Sequence, residues 1–312
     1  MGRWRIGAVL AAVAITVGVG AGSPAQAQMP VDYNFFGGIP NELAHPGGSL
    51  PGSNDWTCKP AAAHPNPVVL VHGTGGGAQT NWGTYAPLLA NAGYCVYALT
   101  YGAPALPWPL AALGGMGASV EQSAAQLSAF VDRVLAATGA RQVDLVGHSQ
   151  GTLMPNYYAK RLGGASKIDK YVSLAPVWHG SFGDQTAMAR AVAARLGAGP
   201  ALEAAMGIAP ALPQLIGGSA FLRELNRDGV YAPGITYTNI ATRYDEIVVP
   251  YSSGLAPGAN ATNIVVQEGC SQDYSDHLAI AGSPRAAAYV LNALDPEHPR
   301  PVPCTFIPPF TG

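Results

Sequence analysis

One segment near the middle of the chain restricts the fold more than any other. Residues 143–151 read VDLVGHSQG, an apolar run that ends in a Gly-x-Ser-x-Gly pentapeptide. A helical pattern follows over residues 152–162 and ends at Gly163. A short apolar run is typical of a strand that is buried on both faces of a parallel sheet. The segment therefore predicts a strand, a sharp turn at Ser149 and a helix, in that order.

The pentapeptide alone is weak evidence, because a chain with 39 glycines in 312 residues also contains such patterns by chance. Its glycines nevertheless have a physical reason. A serine on a sharp strand-to-helix turn has strained backbone angles, and close packing leaves no room for side chains at Gly147 and Gly151. Because the strand and helix supply the required context, Ser149 is the predicted nucleophile.

Apolar runs alternate with helical patterns along most of the chain. Further strands are predicted at residues 68–71, 95–99, 171–175, 235–241 and 263–267, and further helices at 82–92, 119–137 and 284–294. This alternation predicts an α/β fold with a mostly parallel central sheet and helices on both faces. Residues 181–232 interrupt it, and their Ala, Leu and Met content predicts a helical insertion, a possible lid. Ordinary packing helices explain that composition equally well.

A serine hydroxyl needs a base within hydrogen-bond reach, and the base needs an orienting acid. In this type of fold the acid and then the histidine follow the serine. His277 is the predicted base, because it lies after the last strand and just before the final helix. His298 lies among prolines near the C-terminus, and His179 comes too early, although it is a candidate for the pocket lining.

Asp245 is the predicted acid, because it follows the strand at residues 235–241 directly. A purely structural role, as a loop-capping residue, is the alternative. Four other carboxylates are less well placed, either at the start of the insertion, one residue off the strand end, or too near His277 in sequence: Asp184, Glu246, Asp273 and Asp276.

A glycine-rich loop, HGTGGG, follows the first predicted strand at residues 72–77. In acyl transfer the developing oxyanion needs two preorganised backbone donors. The N–H groups of Thr74 and of Gln150, which follows the nucleophile, are the predicted donors, and the Thr74 hydroxyl is a candidate third. Phosphate binding is the alternative, but the loop has neither dinucleotide spacing nor the Lys-Ser/Thr of a P-loop.

The N-terminus has the order of a secretory signal peptide. Arg3 and Arg5 precede an apolar stretch over residues 6–22, and an Ala-x-Ala site follows at 25–27. This predicts a signal peptide over residues 1–27 and a secreted, extracellular mature protein. A membrane anchor is less favoured, because the stretch is short and broken by glycines. We expect an extended N-terminal segment over residues 28–65 and a catalytic domain over 66–312.

Composition limits the partners. The formal net charge is −2 and no basic run occurs, so nucleic acid is not an expected partner. Hydrophobic residues make up 48% and charged residues 11%, which suits transient contact with a lipid surface but equally any secreted protein rich in Ala and Gly. No metal-ligand spacing occurs, so neither a metal nor another cofactor is predicted. Four cysteines in an oxidising compartment allow three disulfide connectivities.

Together the motifs resemble the secreted triacylglycerol lipases and esterases of actinobacteria, and more distantly the yeast lipase B type. The matching segments are residues 69–76, 143–151 and 242–248, with His277 at a compatible distance, and the similarity spans about residues 56–305. The resemblance implies an α/β-hydrolase fold and ester hydrolysis through an acyl-enzyme on Ser149. It also implies Asp245 and His277 as triad partners, Thr74 and Gln150 as oxyanion donors, and the disulfides Cys58–Cys95 and Cys270–Cys304.

Other functions stay open. An acyltransferase or a cutinase-like polyesterase would use the same residues, and a non-catalytic secreted binding protein would keep only the scaffold. Residues 103–117 and the insertion depart from the family pattern, so acyl preference does not transfer. Seven apolar residues are candidates for the lining of an acyl pocket, with ordinary packing as the alternative: Leu106, Trp108, Leu110, Trp178, Met188, Leu212 and Leu215.

Overall fold

The structure, a computed structural model, describes residues 1–2, 28–195, 197–200, 203 and 209–309. The predicted signal peptide, apart from Met1 and Gly2, lies outside the described residues. Within the described part, no helix is long and apolar enough to cross a membrane.

Six strands form one parallel sheet, in the order β2-β1-β3-β4-β5-β6. Every residue of the central strands β1 and β3 is buried, which explains their unbroken apolar runs. Because all the strands run the same way, their carboxyl ends meet at one edge of the sheet. The predicted mostly parallel sheet is confirmed. The strands are Val68–Val71 (β1), Val96–Leu99 (β2), Val143–His148 (β3), Ile168–Leu174 (β4), Thr236–Ala241 (β5) and Ala261–Val265 (β6).

Helices cover both faces of the sheet, as predicted. Val69 and Val71 of β1 pack in one half of the core, which also contains the side chains of the helices at residues 120–138 and 150–161. Val68 and Leu70 pack in the other half, with the helices at residues 85–91 and 284–294. Alternate side chains of one strand thus enter opposite halves of the core. The helices are Ile39–Ala44 (α1), Tyr85–Asn91 (α2), Val120–Thr138 (α3), Gln150–Arg161 (α4), Gly183–Arg195 (α5), Ala220–Leu225 (α6) and Pro284–Leu294 (α7).

The N-terminal segment is held along the domain by hydrogen bonds and a disulfide. The Met29 N–H donates to Asn91 Oδ1 at 2.9 Å, and the Asn54 amide pairs with both backbone groups of Ala98. Cys58 is bonded to Cys95 just before β2, and Cys270 to Cys304. These are the pairings that the resemblance implies. Between its anchors the segment forms a 3-10 helix, Phe35–Gly38, and α1, neither of which the sequence pattern predicts.

Where it is described, the insertion combines helices with turns and one isolated β-bridge between Ser181 and Ile216. It contains α5, the 3-10 helix Leu212–Leu215 and α6. Leu222 and Leu225 of α6 are buried in the same half of the core as α3 and α4. The second half of the insertion is therefore packed onto the core of the domain.

Candidate active site

Ser149 lies on the turn between β3 and α4, at the carboxyl edge of the sheet. Its backbone angles are φ 55° and ψ −124°, a strained conformation for a residue with a side chain. A Cβ on Gly147 would lie 2.1 Å from Gly151 O, and one on Gly151 would lie 2.0 Å from Val71 O. Close backbone packing therefore requires both glycines, which is the reason that the sequence pattern suggested.

The structure brings Ser149, His277 and Asp245 together in a line. Ser149 Oγ is 2.9 Å from His277 Nε2, and His277 Nδ1 is 2.9 Å from both carboxylate oxygens of Asp245. All three side chains are buried. Asp245 Oδ1 also accepts the N–H groups of Ile247 and Val248. A carboxylate at Nδ1 keeps the proton there, which leaves Nε2 free to accept the serine proton.

The backbone of His277 is held on both sides. Its N–H donates to Glu246 Oε2 at 3.1 Å, and its carbonyl oxygen lies 2.9 Å from His148 Nε2. The sequence position of Glu246, one residue after the predicted acid, suggests a side chain that points elsewhere. The structure shows instead that it reaches the histidine's main chain, a contact that no sequence signal indicated.

His148 links this histidine to the glycine-rich loop. Its Nδ1 lies 3.1 Å from Asn81 Oδ1, and the same oxygen accepts the Gly73 N–H at 3.0 Å. Burial lowers the pKa of His148 to about 3, and the neighbouring His277 contributes to the same direction. The imidazole is therefore neutral near pH 7 and adds no charge beside the serine.

The two predicted oxyanion donors lie beside the serine. Gln150 is the first residue of α4, where backbone N–H groups have no partner within the helix and the helix dipole is positive. A Cβ on Gly73 would lie 3.0 Å from Ser149 Cβ, so the loop that carries Thr74 crosses directly over the serine. The Thr74 hydroxyl, the candidate third donor, donates to Gln150 Oε1 at 2.6 Å and so ties the two residues together.

Three other histidines, at positions 72, 179 and 298, lie in surroundings that give them no hydrogen bond to Ser149. The His72 ring stacks on Tyr101 at 4.1 Å, lies 2.7 Å from Gly73 O through Nδ1, and accepts the Tyr101 N–H. Burial lowers the pKa of His72 to about 4. His298 is exposed beside Asp295. His179 lies at a separate small cavity, not at the serine, so it does not line the pocket as the sequence allowed.

A large apolar cavity, with a volume of about 1160 Å³, opens above Ser149 and His277. Three chain segments form its walls: the N-terminal segment, residues 103–117 and the insertion. Of the seven predicted lining residues, three line it: Trp108, Leu212 and Leu215. The other four do not line it. Leu106, Leu110 and Met188 are exposed, and Trp178 is buried, where its indole N–H donates to Asn239 Oδ1. The N-terminal wall was not predicted: Phe35, Phe36, Ile39, Glu42 and Leu43.

A model of the class 2 lipase family matches residues 65–287. The chain belongs to this family. The match covers all five predicted residues of the candidate site, at positions 74, 149, 150, 245 and 277. The N-terminal wall of the cavity lies outside the matched residues.

Solved structures with the same fold are similar to this member of the class 2 lipase family. Lipase B of Aspergillus fumigatus is similar with a TM-score of 0.59 and 20% identity, over 82% of this chain and 57% of that one. The mature Bacillus licheniformis lipase BlEst2 is similar with a TM-score of 0.52 and 16% identity, over 75% and 94%. The chain thus spans just over half the length of the Aspergillus enzyme. At such identities the likeness concerns the fold alone, and the predicted α/β-hydrolase fold is confirmed.

Proposed function

We propose that this class 2 lipase is a secreted hydrolase of carboxylic esters with apolar acyl chains, triacylglycerols among them. One observation carries the proposal. The contacts that join Ser149, His277 and Asp245 lie at the floor of a large, mostly apolar cavity. A nucleophile, a base and an orienting acid in that order are what acyl transfer requires.

The reaction has two halves. Ser149 Oγ attacks the ester carbonyl carbon while His277 Nε2 takes its proton, and the tetrahedral intermediate then expels the alcohol, which leaves with that proton. Water gives a proton to His277 and attacks the acyl-enzyme, and the carboxylic acid leaves as Ser149 regains its proton. Asp245 stays ionised and stabilises the imidazolium in both halves.

The N–H groups of Thr74 and Gln150 would stabilise the oxyanion in both tetrahedral intermediates. The positions of these two residues support this role, because Thr74 is on the loop that packs against Ser149 and Gln150 is at the start of α4. Donors fixed in a water-poor site stabilise developing charge without reorganisation.

Contact with a lipid surface belongs to the same proposal. Eight apolar side chains line the cavity and are also exposed, so they surround its opening. A lipid surface would cover them, and the ester would enter the cavity from it. In this proposal the insertion, residues 181–232, contributes to a lid over the opening. The eight are Phe36, Ile39, Leu43, Trp108, Leu113, Phe182, Leu212 and Ile247.

Secretion rests on two observations. Residues 1–27 have the order of a signal peptide, and the two disulfides suit an oxidising compartment.

The test is hydrolysis of a chromogenic butyrate ester by the purified protein and by Ser149→Ala. Loss of the nucleophile is expected to lower kcat by about 10⁴-fold or more. Ser166→Ala, an exposed serine on a surface 3-10 helix, is the matched control and should keep the parental rate. Equal rates in Ser149→Ala and the parent would exclude the mechanism, and a parent without activity would favour a binding protein on this scaffold.

The lipid surface is tested with esters of increasing acyl length, below and above their solubility limits. A jump in rate on aggregates supports a covered opening that lipid exposes. A smooth rate curve through the solubility limit contradicts the lid.

A further inference from the structure

A carboxylate that the proposed mechanism does not use is built into the cavity wall. Glu42 on α1 is buried and lines the cavity. Its Oε1 accepts the Trp108 indole N–H at 3.1 Å and the Gly47 N–H at 3.0 Å, and its Oε2 accepts the Gln79 amide at 2.5 Å. A carboxylate in an apolar wall is costly unless its oxygens are hydrogen-bonded. Three donors meet that need, so the position is specific for a carboxylate.

Of these three hydrogen-bond partners, Trp108 is the one that lines the cavity. It lines the cavity although 44% of its surface is exposed. The indole has a single donor, and a hydrogen bond to a carboxylate is stronger than one to a neutral group. An exposed indole without that bond would sample several rotamers. Glu42 therefore selects the one orientation in which the ring forms a wall.

The loop that carries Trp108 is also joined to the candidate oxyanion loop. The Gly75 N–H donates to Gly114 O and the Gly114 N–H donates to Gly76 O, each at 2.8 Å. One end of the 103–117 loop is thus fixed next to the reacting bond, and Glu42 fixes its other part at the cavity opening. The ring's position relative to Ser149 is set by these two anchors together.

We propose that Glu42 fixes Trp108 as a selectivity wall, and that this pair sets the preference of the site for long apolar acyl chains over acetyl groups. Methylenes that pack on a fixed indole leave water, whereas an acetyl group has no chain to pack. Glu42 acts through Trp108 and is a positioning residue. This inference rests on the proposed ester hydrolysis and names the acyl class that the site favours.

The test compares p-nitrophenyl acetate, butyrate, octanoate and decanoate, each below its solubility limit. In Glu42→Leu, which leaves no acceptor for the indole N–H, and in Trp108→Phe, the ratio of kcat/KM for decanoate to that for acetate should fall about tenfold, mainly through KM for decanoate. Trp108→Phe keeps an aromatic ring and removes only the donor and part of the ring area. The double variant should fall no further than either single one, because both remove the same contact.

Leu110→Ala is the matched control, because Leu110 is on the same loop and exposed but does not line the cavity. Its ratio should match the parent's. A fluorophosphonate label on Ser149 counts the active sites in each variant. If Glu42→Leu lowers the unfolding midpoint, Trp108→Phe, on an exposed loop, decides the question alone.

Three results overturn the inference: an unchanged ratio in Trp108→Phe, single effects that multiply in the double variant, or an equal loss on acetate and decanoate. A parent protein that hydrolyses none of the four esters contradicts the proposed function instead. The two failures are therefore distinguishable in one set of measurements.

Discussion

Side chains from three different parts of the chain converge on His277. Asp245 and Glu246 come from the loop after β5, His148 from the end of β3, and Asn81 lies behind His148. The order of serine, acid and histidine along the chain was enough to predict the contacts of His277 with Ser149 and Asp245. The backbone contacts could not be predicted, because they depend on loop paths that follow no period in the sequence.

The contact of Glu246 with the backbone of His277 gives a prediction at this scale. Glu246→Ala removes the acceptor of the histidine N–H, and we expect kcat on a butyrate ester to fall about tenfold with KM within about twofold, since a small misplacement of the base slows proton transfer. Glu246→Gln keeps an oxygen acceptor and should restore most of the rate. Glu268→Ala, another exposed loop glutamate, is the control. Parental kcat in Glu246→Ala would contradict the positioning role.

At the scale of single elements, α4 shows where the pattern was wrong by a few residues. The sequence suggested a helix from residue 152, but α4 begins at Gln150, which places Pro155 inside the helix. Proline has no N–H for the carbonyl of Gly151 four residues earlier. The single O–H of Tyr171 on β4 is shared between that oxygen, 3.2 Å away, and Thr152 O. A tertiary contact therefore compensates for a proline that sequence rules would not place there.

Removing the Tyr171 hydroxyl should consequently weaken the fold. Tyr171→Phe leaves the carbonyls at the start of α4 without this donor, and the free energy of unfolding in urea should fall by about 1–2 kcal/mol. Tyr85→Phe is a matched control, because its buried hydroxyl has no partner among the described residues and its loss should cost less or even stabilise. Similar losses in both variants would exclude a special role for Tyr171.

Elements with their own terminal signals were predicted closely. The structure places a capping box at Ser119 and Gln122 at the start of α3, and Gly139 in a left-handed conformation at its end. The helix α1, of 6 residues, has no side-chain cap and no left-handed residue at its end, although Pro40 lies in its first turn. Helices this short depend on tertiary packing, so local sequence could not reveal it or the wall that it forms.

For the whole molecule, buried histidines couple stability to pH. Burial lowers the pKa of His72 to about 4 and that of His148 to about 3, from about 6.5 in an unfolded chain. The native state therefore binds fewer protons than the unfolded state below pH 6.5, and stability is lost as the pH falls from there. Asp144 acts in the opposite direction between about pH 4 and 6, because burial raises its pKa to about 6.

His72→Gln isolates one of these contributions. The loss of unfolding free energy between pH 7 and pH 5 should be smaller by about 2 kcal/mol than in the parent, whatever the variant loses at pH 7. Urea unfolding at both pH values measures it. His298→Gln, at an exposed histidine, should keep the parental pH dependence. The same pH dependence in His72→Gln and the parent would mean that His72 does not titrate on unfolding.

The proposed reacting groups and the cavity walls occupy different parts of the chain. Ser149, Asp245 and His277 follow strand ends or precede a final helix, whereas the walls belong to segments outside the sheet. Side chains on these walls can change without replacing any of the three groups that the proposed mechanism uses. Descendants of such a chain can therefore diverge in the esters they accept while the chemistry is inherited intact, and directed evolution of acyl preference has its natural targets in α1, the 103–117 loop and the insertion.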